Sequence, residues 1–351
     1  MTQATASTAT APAIQGNAFT QTVRLTGWVL FSARRRIMSK VLGGVLLGLF
    51  VVIVALVVVA YAVTANSPVN EQNCTSAPVT ATESSGGGTT VNGPPPEQCQ
   101  PLTPAEQQQV RQQRLESVRE PVTFPNSLAL AGGYTTFIGL ILLTILAGAV
   151  VGGEYGTGTI RLWFSRGVGR GQLVAAQVIA LVLLALLISA VMLALGALVG
   201  VTIGPLLGGT LAALPAGSIG EILLYWLAIA LTLFAYAVIA FFMATLGRST
   251  AAGIAVPLGF FLFEVIVGPI LVAIGMLFQG TTGEIVRHIP DWFLSPNTSY
   301  LVSRASESPI ALNSVEGNTL GLPHALFVVA LYCVALIVLG LVLTQRRDVT
   351  D

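Results

Sequence analysis

Val41 to Thr64 reads VLGGVLLGLFVVIVALVVVAYAVT, an apolar run without one charged residue. About 20 such residues cross a hydrocarbon core of roughly 30 Å at 1.5 Å per residue. Comparable runs recur at 128–151, 172–203, 222–246, 251–278 and 324–343. Lipid offers the backbone no hydrogen-bond partner, so each run is expected to be helical. A transmembrane barrel is excluded, because its strands would alternate polar and apolar residues with period two. The fold class is therefore all-α integral membrane, with about six transmembrane helices. The third run is overlong for one crossing, which predicts a tilt or a bend near Gly196 and Gly200.

Composition agrees. Hydrophobic residues make up 54% of the 351 and charged residues only 9%, against about 25% charged in soluble domains. Such a surface belongs in lipid. The net charge of +1 gives no bulk attraction to nucleic acid. Orientation follows from where the basic residues fall. With the amino terminus inside, the inner segments hold eleven (Arg24, Arg34, Arg35, Arg36, Lys40, Arg161, Arg166, Arg170, Arg248, Arg346 and Arg347) and the outer segments five. By the positive-inside rule both termini are cytoplasmic.

Residues 1–17 are rich in Thr, Ala and Gln and lack the layout of a signal peptide, so they read as a disordered cytoplasmic tail. The outer segment 65–127 opens with Ser, Thr, Gly and Pro and continues as a Gln/Glu/Arg stretch that reads as an exposed helix capped by Thr103. It carries Cys74 and Cys99, whose position on the oxidising side suggests a disulfide; two free thiols are the alternative. The segment 279–323 reads as a second outer loop, and 344–351 as a cytoplasmic tail.

Chemistry within the chain is hard to find. The single lysine, Lys40, follows Met38-Ser39, so there is no Gly-rich loop ending in Gly-Lys-Ser/Thr and no ATP hydrolysis by that route. His288 and His324 have no metal-ligand partners at helical spacing, and no metal or catalytic site is expected. Glu264 is the one acid deep in an apolar run, bracketed by Pro257 and Pro269. It is a candidate cargo contact or protonation switch, or else a buried carboxyl bonded to a neighbouring helix.

The segment 152–171 is the most specific. An acid, Glu154, closes the second helix, glycines turn the chain, and Thr159–Phe164 mixes arginine with large apolar residues. Ile160, Trp163 and Phe164, if exposed, want a cover: a partner protein, or the headgroup zone with Arg161, Arg166 and Arg170 on anionic lipid.

These residues resemble the permease subunits of ATP-binding-cassette exporters of the second class, the multidrug, sodium and polysaccharide export type. The matching elements are Glu154-Tyr155, Gly158-Thr159-Ile160-Arg161, Ser165 to Arg170, and the closing Gln345-Arg-Arg-Asp348; the basic stretch 18–40 is similar to the family's interfacial elbow helix. The resemblance implies a pathway formed with a second permease copy or paralogue in the cell membrane, the inner membrane of a bacterium. It implies separate ATPase subunits that bind ATP and Mg, with no cofactor in this chain. Glu154, Tyr155, Gly158, Thr159, Arg161, Trp163, Phe164, Arg166 and Arg170 would couple to the ATPase, and the second and fifth helices would line the pathway. Two departures limit the carry-over: the first outer loop is long, as in the sodium-exporter branch, and Gln177 stands where a lysine is common. A stand-alone carrier or channel, or a scaffold acting through 65–127, are the competing readings.

Orientation and loop chemistry are checked by labelling sealed cells with an impermeant thiol reagent. Cysteine reporters at Ser7 and Thr350 should be protected and one at Gly87 labelled; labelling of both ends would overturn the topology. Non-reduced peptide mapping should find Cys74 linked to Cys99, a ring worth about 3 kcal/mol by chain entropy.

Overall fold

A backbone in hydrocarbon closes its own hydrogen bonds, and all regular structure among the described residues is helical. The computed structural model describes residues 18–67, 103–165, 167–210, 218–278, 280–306 and 321–346. The expected tail 1–17, Cys74 and Cys99, Arg166 and the closing Arg347-Asp348 fall outside them, as does the Arg161 side chain. The helices are α1 (Ala18–Arg35), α2 (Ile37–Asn66), α3 (Pro104–Arg119), α4 (Asn126–Tyr134), α5 (Leu140–Gly156), α6 (Thr159–Ser165), α7 (Arg170–Leu206), α8 (Ser218–Gly247), α9 (Thr250–Leu277), α10 (Thr281–His288), α11 (Leu294–Ser306) and α12 (Leu322–Arg346). A π-helical turn, Thr135–Gly139, joins α4 to α5. Among the described residues, six helices are long and apolar enough to cross a membrane: α2, the α4–α5 unit, α7, α8, α9 and α12. They support a multi-pass membrane protein.

The most enclosed of the six is α8, which packs against α5, α7, α9, α11 and α12. Ile229, Leu233, Tyr236 and Phe241 on it are wholly buried. Least enclosed is α2, held by two tyrosine hydroxyls. Tyr134 of α4 donates to the Leu46 carbonyl at 2.7 Å, and Tyr61 donates to the Leu207 carbonyl at 2.9 Å. Ahead of it, α1 turns Leu25, Val29 and Ala33 inward at four-residue spacing and packs on α7.

Lipid tails are as apolar as leucine, so spans associate through close packing, which small residues permit. Glycines do this work here. A Cβ at Gly148 would sit 2.5 Å from the Gly253 carbonyl oxygen, and one at Gly152 would sit 2.6 Å from Thr250 Cα, so α5 and α9 meet backbone to backbone. The expectation for Gly196 and Gly200 is answered in the same way. Helix α7 runs unbroken for 37 residues, and a Cβ at either glycine would strike Ala131 or Ser127 of α4. Their absent side chains seat a neighbour.

Two further findings concern the segments 65–127 and 279–323. Thr103 caps α3 as its sequence predicts, with its backbone N–H donating to Glu106 at 2.8 Å and its hydroxyl at 2.7 Å. These bonds hold the Glu106 carboxyl below the usual carboxylate range. The stretch 279–323, read as a loop, holds α10 and α11. They fold back, α10 onto α9 and α11 onto α8 and α12. Neither has the length or apolarity of a span, so hydropathy could not separate them from loop. Asn297 of the Asn-Thr-Ser sequon is buried, its amide donating to the Asp291 and Phe293 carbonyls at 2.7 Å each, which closes it to glycosylation.

Gly200→Ala should lower the thermal midpoint of the purified protein, since overpacking a tight contact costs about 1–3 kcal/mol. Gly44→Ala on α2, with nothing within 4 Å of the new methyl, should leave it unchanged. Equal midpoints for the two would remove the close-packing account.

Candidate functional site

Two regions concentrate the polar chemistry of the chain. The first is the corner where α5 ends, α6 crosses and α7 begins. Gly158 makes the turn at φ +67°, a conformation that favours glycine. The Thr159 hydroxyl donates back to the Glu154 carbonyl at 3.2 Å, tying the start of α6 to the end of α5. Glu154 itself is not on the surface. It is 1% exposed, and the Gln177 amide of α7 donates to its Oε2 at 2.7 Å. Its Oε1 has no hydrogen-bond partner among the described residues. The Arg36 guanidinium lies within electrostatic range of this carboxylate and donates to the Ala149 carbonyl at 2.6 Å, where Gly153 leaves it room. The Glu154 side chain therefore ties α5 to α7 and is buried away from the surface.

Helix α6 sorts the apolar residues differently from the sequence expectation. Ile160 is 6% exposed, and Trp163 and Phe164 are half-buried, while Leu162 is 60% exposed. Positions i, i+3 and i+4 share a helix face, so 160, 163 and 164 turn inward together. The cover the sequence called for comes in part from the chain itself: Trp163 meets Trp28 of α1 edge-on, with ring centroids 4.4 Å apart. Tyr155 is half-buried against the core. Arg170 lies over the Phe164 ring at 5.7 Å and donates to the Gln345 carbonyl at 2.6 Å, pinning the end of α12 to the start of α7. Arg35 stacks on Phe31 of α1 at 4.7 Å. The outcome is a patch of Trp28, Phe31, Leu162 and Trp163 edged by arginine.

The second region is a half-open cavity of about 540 Å³ lined by the π-turn, α5, α8, α9 and α11. Its wall joins the rings of Phe137, Tyr236 and Phe261 to hydroxyls of Thr136, Thr232 and α11. Phe261 meets Phe137 at 5.8 Å and Tyr236 at 5.6 Å. Glu264 lies behind this wall, 2% exposed. Its carboxylate accepts from the Tyr236 hydroxyl at 2.7 Å and from the backbone N–H groups of Leu294 at 2.5 Å and Ser295 at 3.2 Å. Of the sequence readings, the buried carboxyl bonded to a neighbouring helix describes this geometry. Glu264 caps α11 and so builds one side of the cavity without lining it.

Residues 125–350, more than half of the chain, match a family described as "Protein of unknown function (DUF2705)". This chain belongs to that family. No curated protein and no solved structure matches it. The match takes in Glu154, α6 and the whole cavity wall, while α1 and α2 precede it.

Several of these residues escaped the sequence reading. Thr232 and Tyr236 are four apart in an apolar run, a one-face polar signal that was there to be seen. Ser295, Thr298, Ser299 and Ser303 repeat at the same helical spacing. Arg36 is indistinguishable from Arg34 and Arg35 by sequence.

Gln177→Leu strands the Glu154 carboxylate without its donor and should destabilise the protein by about 1–3 kcal/mol. The double variant Glu154→Leu/Gln177→Leu should recover most of that loss in a denaturation midpoint. An additive double variant would mean the two side chains do not act as a pair.

Proposed function

We propose that this chain is the permease subunit of an ATP-driven exporter, coupled to separate ATPase subunits through the α5–α6–α7 corner. The observation that carries the reading is that corner. It joins two membrane-spanning helices through a short helix with an exposed leucine, beside a tryptophan pair edged by arginines. Trp, Arg and a central apolar anchor are the composition of interface hot spots. The resemblance of 152–171 to the coupling segment of second-class ATP-binding-cassette exporters supports the same reading.

In this reading both termini and α6 are cytoplasmic, α1 is the interfacial elbow helix, and 65–127 is a long extracytoplasmic loop. ATP and Mg are bound by the partner, and two permease copies or paralogues form the path in the cell membrane. Coupling would run as a rigid transfer. A push on Leu162 and Trp163 moves α6, whose start is tied to α5 and whose inner face is clamped to α1. The buried Glu154–Gln177 bond carries the displacement to α7. Helix α5 ends at this corner and begins at the cavity, so one rod connects docking surface to cargo path.

The refined anchor is Leu162, because Trp163 is already engaged by Trp28. Leu162→Asp should leave expression and membrane residence normal, since α6 lies outside every span. It should abolish co-purification of the ATPase and transport, a desolvated unpaired charge costing about 3–5 kcal/mol. Trp163→Asp should do the same and also loosen α1. If Leu162→Asp retains full ATPase recovery and full export, the coupling reading fails. A stand-alone carrier would transport when reconstituted without any ATPase.

A further inference from the structure

The cavity between the π-turn, α8, α9 and α11 has a polarity that neither its shape nor the coupling reading reports. Seven hydroxyls line it, on Thr136, Thr232, Tyr236, Ser295, Thr298, Ser299 and Ser303. Four of them donate to a backbone carbonyl and a fifth to the Glu264 carboxyl. Thr136 donates to the Gly133 carbonyl at 3.0 Å, Thr232 to the Ala228 carbonyl at 2.9 Å, and Thr298 to the Leu294 carbonyl at 3.0 Å. Ser303 donates to the Tyr300 carbonyl at 3.0 Å, and Tyr236 to the Glu264 carboxylate at 2.7 Å. A hydroxyl has one proton and two lone pairs. With the protons directed into the protein, what remains for a guest is lone pairs.

The rest of the wall has the same sign. No lysine, arginine or histidine lines the cavity. Three aromatic side chains, Phe137, Tyr236 and Phe261, belong to the same wall. The Glu264 carboxylate stands one hydroxyl behind the surface. The one feature that would draw an anion is the amino-terminal end of α11, and it is already answered. Glu264 accepts from the N–H of Leu294 and of Ser295, and the next residue, Pro296, has no N–H.

We infer that this cavity binds an amphiphile whose head group donates hydrogen bonds and carries positive charge, an organic ammonium on an apolar body. The volume fits. Pockets for small organic ligands run from about 300 to 1,000 Å³, and this one is about 540 Å³. The ammonium head would meet the hydroxyl lone pairs of Thr136 and Ser303, which are half-buried on the cavity wall, and the apolar body would run along Phe137 and Phe261. Binding belongs to this chain alone and does not rest on ATPase docking.

The test uses the purified full-length chain in phosphatidylcholine nanodiscs, without any ATPase. The probe is dodecylamine carrying a diazirine on its alkyl chain, with cross-linked peptides mapped by mass spectrometry. Cross-links should fall in 136–140 and 295–303. Unlabelled dodecylamine should displace the probe at about tenfold lower concentration than dodecanoate, since only the ammonium can donate to the wall's lone pairs. Ser303→Ala should erase a large part of that preference. Phe137→Ala, at a half-exposed position where folding is not at stake, should weaken capture several-fold. Equal displacement by dodecanoate would overturn the inference, and so would cross-links scattered over the outer faces of α2 and α12, which mean lipid-like partitioning. Loss of ATPase recovery in Leu162→Asp together with equal displacement would retain the coupling reading and reject only this one.

Discussion

Where α5 crosses α9 there is no room for a side chain. Gly148 and Gly152 face Gly253 and Thr250 at backbone distance, and both candidate regions depend on that contact. In lipid no hydrophobic force favours one apolar surface over another, so a helix pair is fixed by how closely its backbones approach. Once α5 is locked to α9, its first turn lies beside Phe261 and its last turn lies beside the α6 corner. A methyl group at either glycine would part the helices, open the cavity wall and shift the end of α5 together.

Two buried carboxylates complete the arrangement, and their partners divide the labour. Glu264 meets one hydroxyl and two backbone N–H groups, which secures α11 against α8 and α9. Hydropathy alone would never hold such a short, polar helix against the spans. Glu154 meets one amide donor and keeps one oxygen without a partner among the described residues. A buried polar group left half-satisfied is costly in a low-dielectric interior. Glu264 supports the cavity wall, and Glu154 ties α5 to α7.

The aromatic pair of Trp28 and Trp163 links the part of the chain before the family match to the part within it. Helix α1 packs on α7 through small and branched residues and leaves Phe19, Val23, Trp28 and Phe31 at least partly outward. Such a helix adds area to the α6 patch instead of hiding it.

Amino-acid order by itself determined the class and number of the long helices, because an apolar run in lipid has one way to satisfy its backbone. It also determined the Thr103 cap and the turn at Gly158, each a local matter of hydrogen bonding or φ. It singled out 152–171 as unusual. Which face of that segment looks outward was beyond it, since Ile160 and Leu162 are equally apolar and only tertiary packing distinguishes them. The roles of Gly196 and Gly200 were likewise ambiguous, a bend and a close contact both calling for glycine. The partner of Glu264 lies about thirty residues away on a helix too short and polar for hydropathy to detect. That pairing, and the cavity it supports, came from tertiary structure, because hydrogen bonds between distant segments leave no periodic trace in a single sequence.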